Sequence, residues 1–159
     1  MSGGALSDQV IGTAAPTLYG WLAAWNTTTV PNGIYSVQSV ATDTDNNTDT
    51  STPVTVTVDN PAPASTVVLP AKNATISGTT HYLDATASSG VTKVTYEVSG
   101  GPSDLSDVRV ATATPTLYGW LAAWNTTTVP NGIYSLQSVA SYGGGVSGPS
   151  AGISVTIAN

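Results

Sequence analysis

Residues 17–41 read TLYGWLAAWNTTTVPNGIYSVQSVA, and residues 116–140 read TLYGWLAAWNTTTVPNGIYSLQSVA. The two stretches differ only at Val37 and Leu136, and they begin 99 residues apart. A repeat at a fixed offset indicates a duplicated structural unit, and about 100 residues is the size of one β-sandwich domain. The repeated stretch therefore predicts two copies of one domain type.

The repeated stretch itself is typical of two β-strands. In its second copy, Pro130-Asn131-Gly132 is a turn signal, and apolar side chains alternate with polar ones on both sides of it. On the first strand, Tyr118, Trp120, Ala122 and Trp124 are predicted to share one face, and on the second strand Tyr134, Leu136 and Ser138 alternate with Ile133, Ser135, Gln137 and Val139. The sequence around the repeat is rich in Thr and Val and shows no capped helical period, which favours an all-β fold.

Alternation over the remainder of the second copy predicts about seven strands, at 66–69, 80–88, 91–98, 107–114, 117–125, 133–140 and 152–157. The inward positions are expected to hold the apolar members of each strand, and the outward positions the polar ones. Three groups are predicted to face inward, namely His81 to Ala87 at alternate positions, Val94 with Tyr96 and Val98, and Val108 with Val110. Regular short strands of this kind predict an antiparallel β-sandwich.

The two copies differ in length. Residues 61–159 are predicted to form a complete sandwich, whereas residues 1–60 match only its second half, the last four strands. Residues 1–4 (MSGG) align with residues 98–101 (VSGG), and the segment 61–97 has no counterpart in the first copy. The domain prediction is a truncated repeat at 1–60 followed by a complete sandwich at 61–159.

Several motifs of the complete copy occur in a recognisable order: PxxNATxSG, VTKVTY, WNTT followed by PNGxY, and QSVA. In this order they resemble the bacterial Ig-like repeats of secreted and cell-surface proteins, across 61–159 and across half a domain in 1–60. The resemblance implies an Ig-like fold, an extracellular or cell-surface location, and a role as spacer, stalk or adhesin. It implies no catalytic residues.

Composition excludes several classes of function. The net charge is −6 with three basic residues, Lys72, Lys93 and Arg109, so no basic footprint for nucleic acid can form. The chain has no cysteine, which excludes disulfides and thiolate metal sites. No apolar run reaches the ~20 residues that span a bilayer, so membrane insertion is not expected, and the N-terminus lacks a signal-peptide pattern.

The truncated copy leaves aromatic side chains without an opposing sheet. Tyr19, Trp21 and Trp25 are expected to lie on the apolar face, and exposure of several such rings is costly. Either this half remains disordered or another chain covers it. We favour self-association, by packing of two truncated halves or by addition of strands from neighbouring repeats, which predicts a homo-oligomer or filament.

Two other candidate sites are weaker. Asp43, Asp45, Asn47 and Asp49 have the alternate oxygen ligands of a calcium loop, but the loop lacks its glycine and its closing acid, so a solvated turn is preferred. Trp120 and Tyr142 are candidates for contact with a surface glycan if their rings face solvent, and this carbohydrate-binding role is the alternative function. With one histidine (His81) and one glutamate (Glu97), no catalytic arrangement or cofactor is predicted, and we expect no enzyme activity.

Overall fold

The computed structural model describes residues 1–4 and 6–159, and nearly all of its regular structure is β-strand. Its contacts separate the chain into unit 1, Met1–Asn60, and unit 2, Pro61–Asn159. Within the described residues, helical structure is confined to the 3-10 turns Thr27–Thr29 and Thr126–Thr128, so no helix reaches the length of a membrane span.

The described residues of unit 1 form three separate pairs of antiparallel strands. The hairpin pairs β1 (Ala15–Thr17) with β2 (Gly20–Leu22). Next, β3 (Gly33–Val37) pairs with the last strand of the unit, β6 (Val54–Val58). Between them, β4 (Val40–Thr42) pairs with β5 (Thr48–Thr50). No two of these pairs join into a larger sheet.

Unit 2 contains ten strands. They are β7 (Ser65–Leu69), β8 (Ala74–Ile76), β9 (His81–Ala87), β10 (Lys93–Gly100), β11 (Leu105–Thr112), β12 (Thr114–Pro115), β13 (Trp120–Trp124), β14 (Gly132–Ser141), β15 (Ser147–Pro149) and β16 (Ile153–Ile157). One sheet has the order β12-β13-β9-β7 and the other β11-β10-β14-β16-β8, with β15 on β14. All pairs are antiparallel except β8 with β16. The two sheets enclose one core, which confirms the predicted all-β sandwich.

The core of unit 2 comes from the predicted inward positions of several strands. Leu83, Val94, Tyr96, Val98 and Leu136 have no solvent exposure, because alternate residues of β9, β10 and β14 point between the two sheets. Trp124 on β13 and Tyr134 on β14 are also buried in this cluster. The alternation in these strands therefore gave the correct inward face.

Several local expectations for unit 2 were wrong, and the strands β8 and β15 were not predicted. Asp84 was predicted to face outward but is buried, because the turn before β13 covers it, and Gly119 lies against its carboxylate. Tyr118 was placed inward on a strand, yet it is 87% exposed, because the chain turns at 117–119 and β13 begins only at Trp120. Irregular register between β10 and β11 leaves Val108 40% exposed.

Each unit has a tyrosine that fixes the start of the strand after the Pro-Asn-Gly turn. The Tyr134 hydroxyl donates to the Pro130 carbonyl at 2.7 Å, and the Tyr35 hydroxyl donates to the Pro31 carbonyl at the same distance. Burial raises the pKa of the Tyr134 hydroxyl above its usual range. The Pro-Asn-Gly turn therefore has the same tyrosine contact in both units.

We expect Leu83→Ala to lower the free energy of unfolding of unit 2 by about 2–5 kcal/mol, because it leaves a cavity between the sheets. The matched control is Ile133→Ala, since Ile133 is a large side chain that is mostly exposed, and its effect should remain within about 0.5 kcal/mol. Urea denaturation followed by tryptophan fluorescence measures both. Equal effects of the two substitutions would contradict the assignment of Leu83 to the core.

Candidate assembly surface

The hairpin β1–β2 of unit 1 exposes the aromatic side chains that the sequence singled out. Tyr19 is 92% exposed and Trp21 is 72% exposed, and Leu18 and Leu22 beside them are exposed as well. The turn is held by its own hydrogen bonds, because the Thr17 hydroxyl donates to the Gly20 carbonyl at 2.7 Å and accepts from the Tyr19 amide. The surface is therefore an ordered hairpin and not a loose loop.

The same sequence has a different environment in unit 2. Trp120, the counterpart of Trp21, is partly buried and packs against the core, and its carbonyl accepts a hydrogen bond of 2.7 Å from the Tyr96 hydroxyl. Gly119 lies against Asp84, whereas its counterpart Gly20 has open space on that side. Strand β9 thus provides part of the cover that unit 1 lacks.

Strand lengths show the same difference. β13 extends to Trp124, whereas its counterpart β2 ends at Leu22. The three additional residues of β13 are those that pair with β9, in the register Ala122 with Leu83, Ala123 with Tyr82 and Trp124 with His81. Without a partner strand, the matching residues 23–25 of unit 1 form no ladder.

The second half of unit 1 shows the loss of two further partners. In unit 2, β14 is one continuous strand that pairs with β10 from Tyr134 to Ser141. In unit 1, the matching stretch is divided into β3 and β4. Residues 38–39 between these two strands correspond to residues of β14 that pair with β10 in unit 2. Strand β6 pairs only with β3, whereas its counterpart β16 also pairs with β8.

Trp25 differs from the two exposed aromatic residues. It is partly buried against a small cluster of Met1, Val30, Tyr35 and Val58, and its ring meets the Tyr35 ring edge to face at a centroid distance of 6.3 Å. Its buried indole N–H has no hydrogen-bond acceptor, and the same is true of Trp124 in unit 2. Of the three predicted self-association residues, Tyr19 and Trp21 face solvent and Trp25 belongs to the residual core.

A polar cluster that the sequence analysis did not identify closes the end of each unit. In unit 1, Asn60 accepts from the Thr27 hydroxyl at 2.8 Å and donates to the Thr27 carbonyl at 2.9 Å. In unit 2, Asn159 and Thr126 make the same contacts, and both also bond to the Gly78 backbone. The sequence signal for this cluster was the spacing between Asn-Thr-Thr and the last Asn of each unit, which is equal in both copies.

The two glycan candidates are not fully exposed. Trp120 packs against the core, and Tyr142 is partly buried at the end of β14, where its backbone closes the turn to Val146. The most exposed aromatic side chains of unit 2 are instead Tyr118, at the tip of the turn, and Tyr82, on the outer face of β9.

The acidic turn between β4 and β5 is organised by its own side chains. The Asp43 carboxylate accepts from the Asp45 amide at 2.8 Å and from the Asn47 amide and side-chain NH2 at 2.9 Å each. Asp49 lies on β5, where it accepts from the Thr50 amide. Among the described residues, no three His, Asp or Glu side chains group closely enough to hold a metal ion.

Comparison with known proteins adds little. No protein-family model matches the chain, and no curated protein matches it. A crystal structure of an engineered protein, Northeast Structural Genomics Consortium Target OR128, resembles part of it at 19% sequence identity and a TM-score of 0.42. That match covers 61% of this chain and 20% of the other, and at this TM-score it defines no shared fold.

Hydrogen bonds from the side chain and backbone of Asn47 hold the pKa of Asp43 below 3.8. A carboxyl whose pKa is lower in the folded state stabilises that state above its unfolded pKa, and the contribution is lost as the pH falls through the folded pKa. We therefore expect the Asn47 amide NMR signals to titrate with a midpoint below 3.8. Asn47→Ala should move the Asp43 midpoint upward, and an unchanged midpoint would contradict this account of the turn.

Proposed function

We propose that the chain is a structural or adhesive repeat module of an extracellular bacterial protein, and that it self-associates through unit 1. Unit 2 is then an Ig-like sandwich that acts as a rigid spacer. The order of motifs in 61–159 supports the Ig-like assignment. The tyrosine that donates to the backbone before its own strand supports it too, because Ig-type sandwiches have a tyrosine corner of this kind.

The observation that carries the proposal is the uncovered hairpin of unit 1. Trp21 is 72% exposed in unit 1, whereas its counterpart Trp120 is partly buried against the core of unit 2; Tyr19 is exposed in unit 1 as Tyr118 is in unit 2. A fully buried aromatic ring removes about 150–250 Å² from water, which at ~25 cal/mol/Å² corresponds to roughly 4–6 kcal/mol before the cost of association. An exposed apolar patch of this kind marks an interaction surface.

The surface that unit 1 leaves uncovered carries no charge for a partner to neutralise. Residues 9–42, which include the hairpin and β3, contain no Asp, Glu, Lys or Arg, and all three basic residues of the chain lie in unit 2. Two such surfaces can therefore meet without burying an unpaired charge, the usual large penalty at an interface. Self-association is compatible with the overall charge of −6 because the acids lie elsewhere.

The test is the mass of the intact chain by light scattering over a range of concentrations. We expect a dimer or larger species, and Trp21→Ser should weaken the association at least tenfold because it removes a ring from the interface. Trp21 is mostly exposed, so this change should leave the fold of unit 1 intact.

Two controls accompany this measurement. Tyr118→Ser removes an equally exposed ring from the matching turn of unit 2 and should leave the association unchanged. Residues 61–159 alone, which keep their complete core, should be monomeric. A monomer of the intact chain at every concentration would overturn the self-association proposal.

A further inference from the structure

We propose that unit 1 is an acceptor for the first half of a repeat of this type, a β-segment with the sequence pattern of residues 74–97. The inference rests on the proposed function, because it names what covers the uncovered surface. Unit 2 provides the observation. Its second half contains the same 25-residue stretch, with Leu136 in place of Val37, and it pairs with such a segment in a defined register.

The first contact is the free edge beyond β2. In unit 2, the matching edge pairs antiparallel with β9 and buries Leu83 and Ala85 completely. Transferred to unit 1, this register pairs Ala23 with a residue like Leu83 and Ala24 with a residue like Tyr82. The donor strand would extend β2 by the three residues that it lacks relative to β13 and would cover the inner side of Trp21.

The second contact is the free edge of β6. In unit 2, β8 pairs in parallel with β16, and the Ala158 amide donates to the Ile76 carbonyl. The Gly78 that follows β8 bonds through its amide to the Asn159 side chain at 3.0 Å and through its carbonyl to Thr126. Unit 1 already holds the matching Asn60 and Thr27 side chains in place.

The third contact is the edge of β3 and β4. A strand like β10 would bridge residues 38–39 and join β3 and β4 into one strand, as in β14. Unit 1 itself supplies the last positions of this strand, because Ser2 pairs with Ser36 as Ser99 pairs with Ser135. Met1 accordingly occupies the place of Val98 and is buried. The donor is therefore required only up to the position of Glu97.

A part of unit 1 would have to move. Residues 6–13 correspond to β11 but form no strand, and Gly12 lies close to the Ala24 carbonyl. In unit 2, β11 pairs with β10, so a donor strand at the β10 position would offer this segment a partner. Val37, which replaces the fully buried Leu136, is the smaller residue and presents no obstacle to the donor.

A face-to-face pair of two copies of unit 1 is the competing arrangement. It would cover Trp21 and Tyr19, but it would leave the edges of β2, β3 and β6 without the strands that pair there in unit 2. Unpaired strand edges are themselves sites of strand addition. A donor segment would cover Trp21, pair with the edges of β2, β3 and β6, and contact the Asn60 cluster. For this reason we favour it over the face-to-face pair.

The experiment uses a synthetic peptide of residues 61–97 with Tyr82→Cys, added to the intact chain carrying Ala24→Cys. The chain has no cysteine of its own, so a disulfide between the chain and the peptide joins these two positions. Opposite residues of antiparallel strands lie about 4.5–5.5 Å apart between Cα atoms, within the range that a disulfide spans. We expect a 1:1 crosslinked product by mass spectrometry under a glutathione redox buffer.

The matched control is Ala123→Cys, which has the same local sequence in unit 2, where the chain's own β9 occupies the edge. We expect at least tenfold less crosslinking there, and likewise at Ala23→Cys, which lies one residue out of register. Leu83→Asp in the peptide should reduce the Ala24→Cys product at least tenfold. Equal crosslinking at Ala24→Cys and Ala123→Cys, or none at Ala24→Cys, would overturn the inference.

The result also separates this inference from the proposed self-association. If the chain self-associates but the peptide neither crosslinks nor dissociates the assembly, self-association stands and the donor segment is rejected in favour of the face-to-face pair. If the chain is monomeric but the peptide crosslinks in register, the acceptor role stands and self-association is rejected.

Discussion

Burial of the inner face of the second-half strands by the first-half strands is the contact on which both units depend. In unit 2, Leu83 and Ala85 on β9 and Tyr96 on β10 close the core around Trp124 and Tyr134. Unit 1 has the corresponding Trp25 and Tyr35 but none of the covering strands, and its core shrinks to four buried residues. The free edges, the divided strand and the exposed hairpin of unit 1 all follow from this difference.

Much of the fold could be predicted from the sequence because alternation is a local signal. Residues 94–98 and 133–139 alternate cleanly, and the structure buries the predicted face of each. The errors arose where distant residues decide. Asp84 is covered by a turn some 35 residues later in the chain, and β8 is a strand only because it pairs in parallel with β16. Neither contact produces a periodic pattern of apolar residues in the sequence.

The candidate surface was partly predictable for the same reason. Comparison of the two copies identified the aromatic residues that lose their cover, but it did not separate Trp25, which keeps the Tyr35 contact, from Trp21, which loses its neighbours. That distinction depends on which residues remain within 1–60 to form a small core. The Ig-like family, the extracellular location and the absence of enzyme activity remain predictions.

The near identity of residues 17–41 and 116–140 also has a consequence for biosynthesis. Residues 61–97 leave the ribosome after unit 1 and before the half that they complete in unit 2. During that interval, the second half at 1–60 has already been made, and it carries nearly the same strands. Neighbouring repeats with such similar sequences compete for the same partners during folding, the usual origin of misassembly in repeat proteins. Correct folding of this chain therefore depends on the order in which its strands are synthesised as well as on the stability of the finished sandwich.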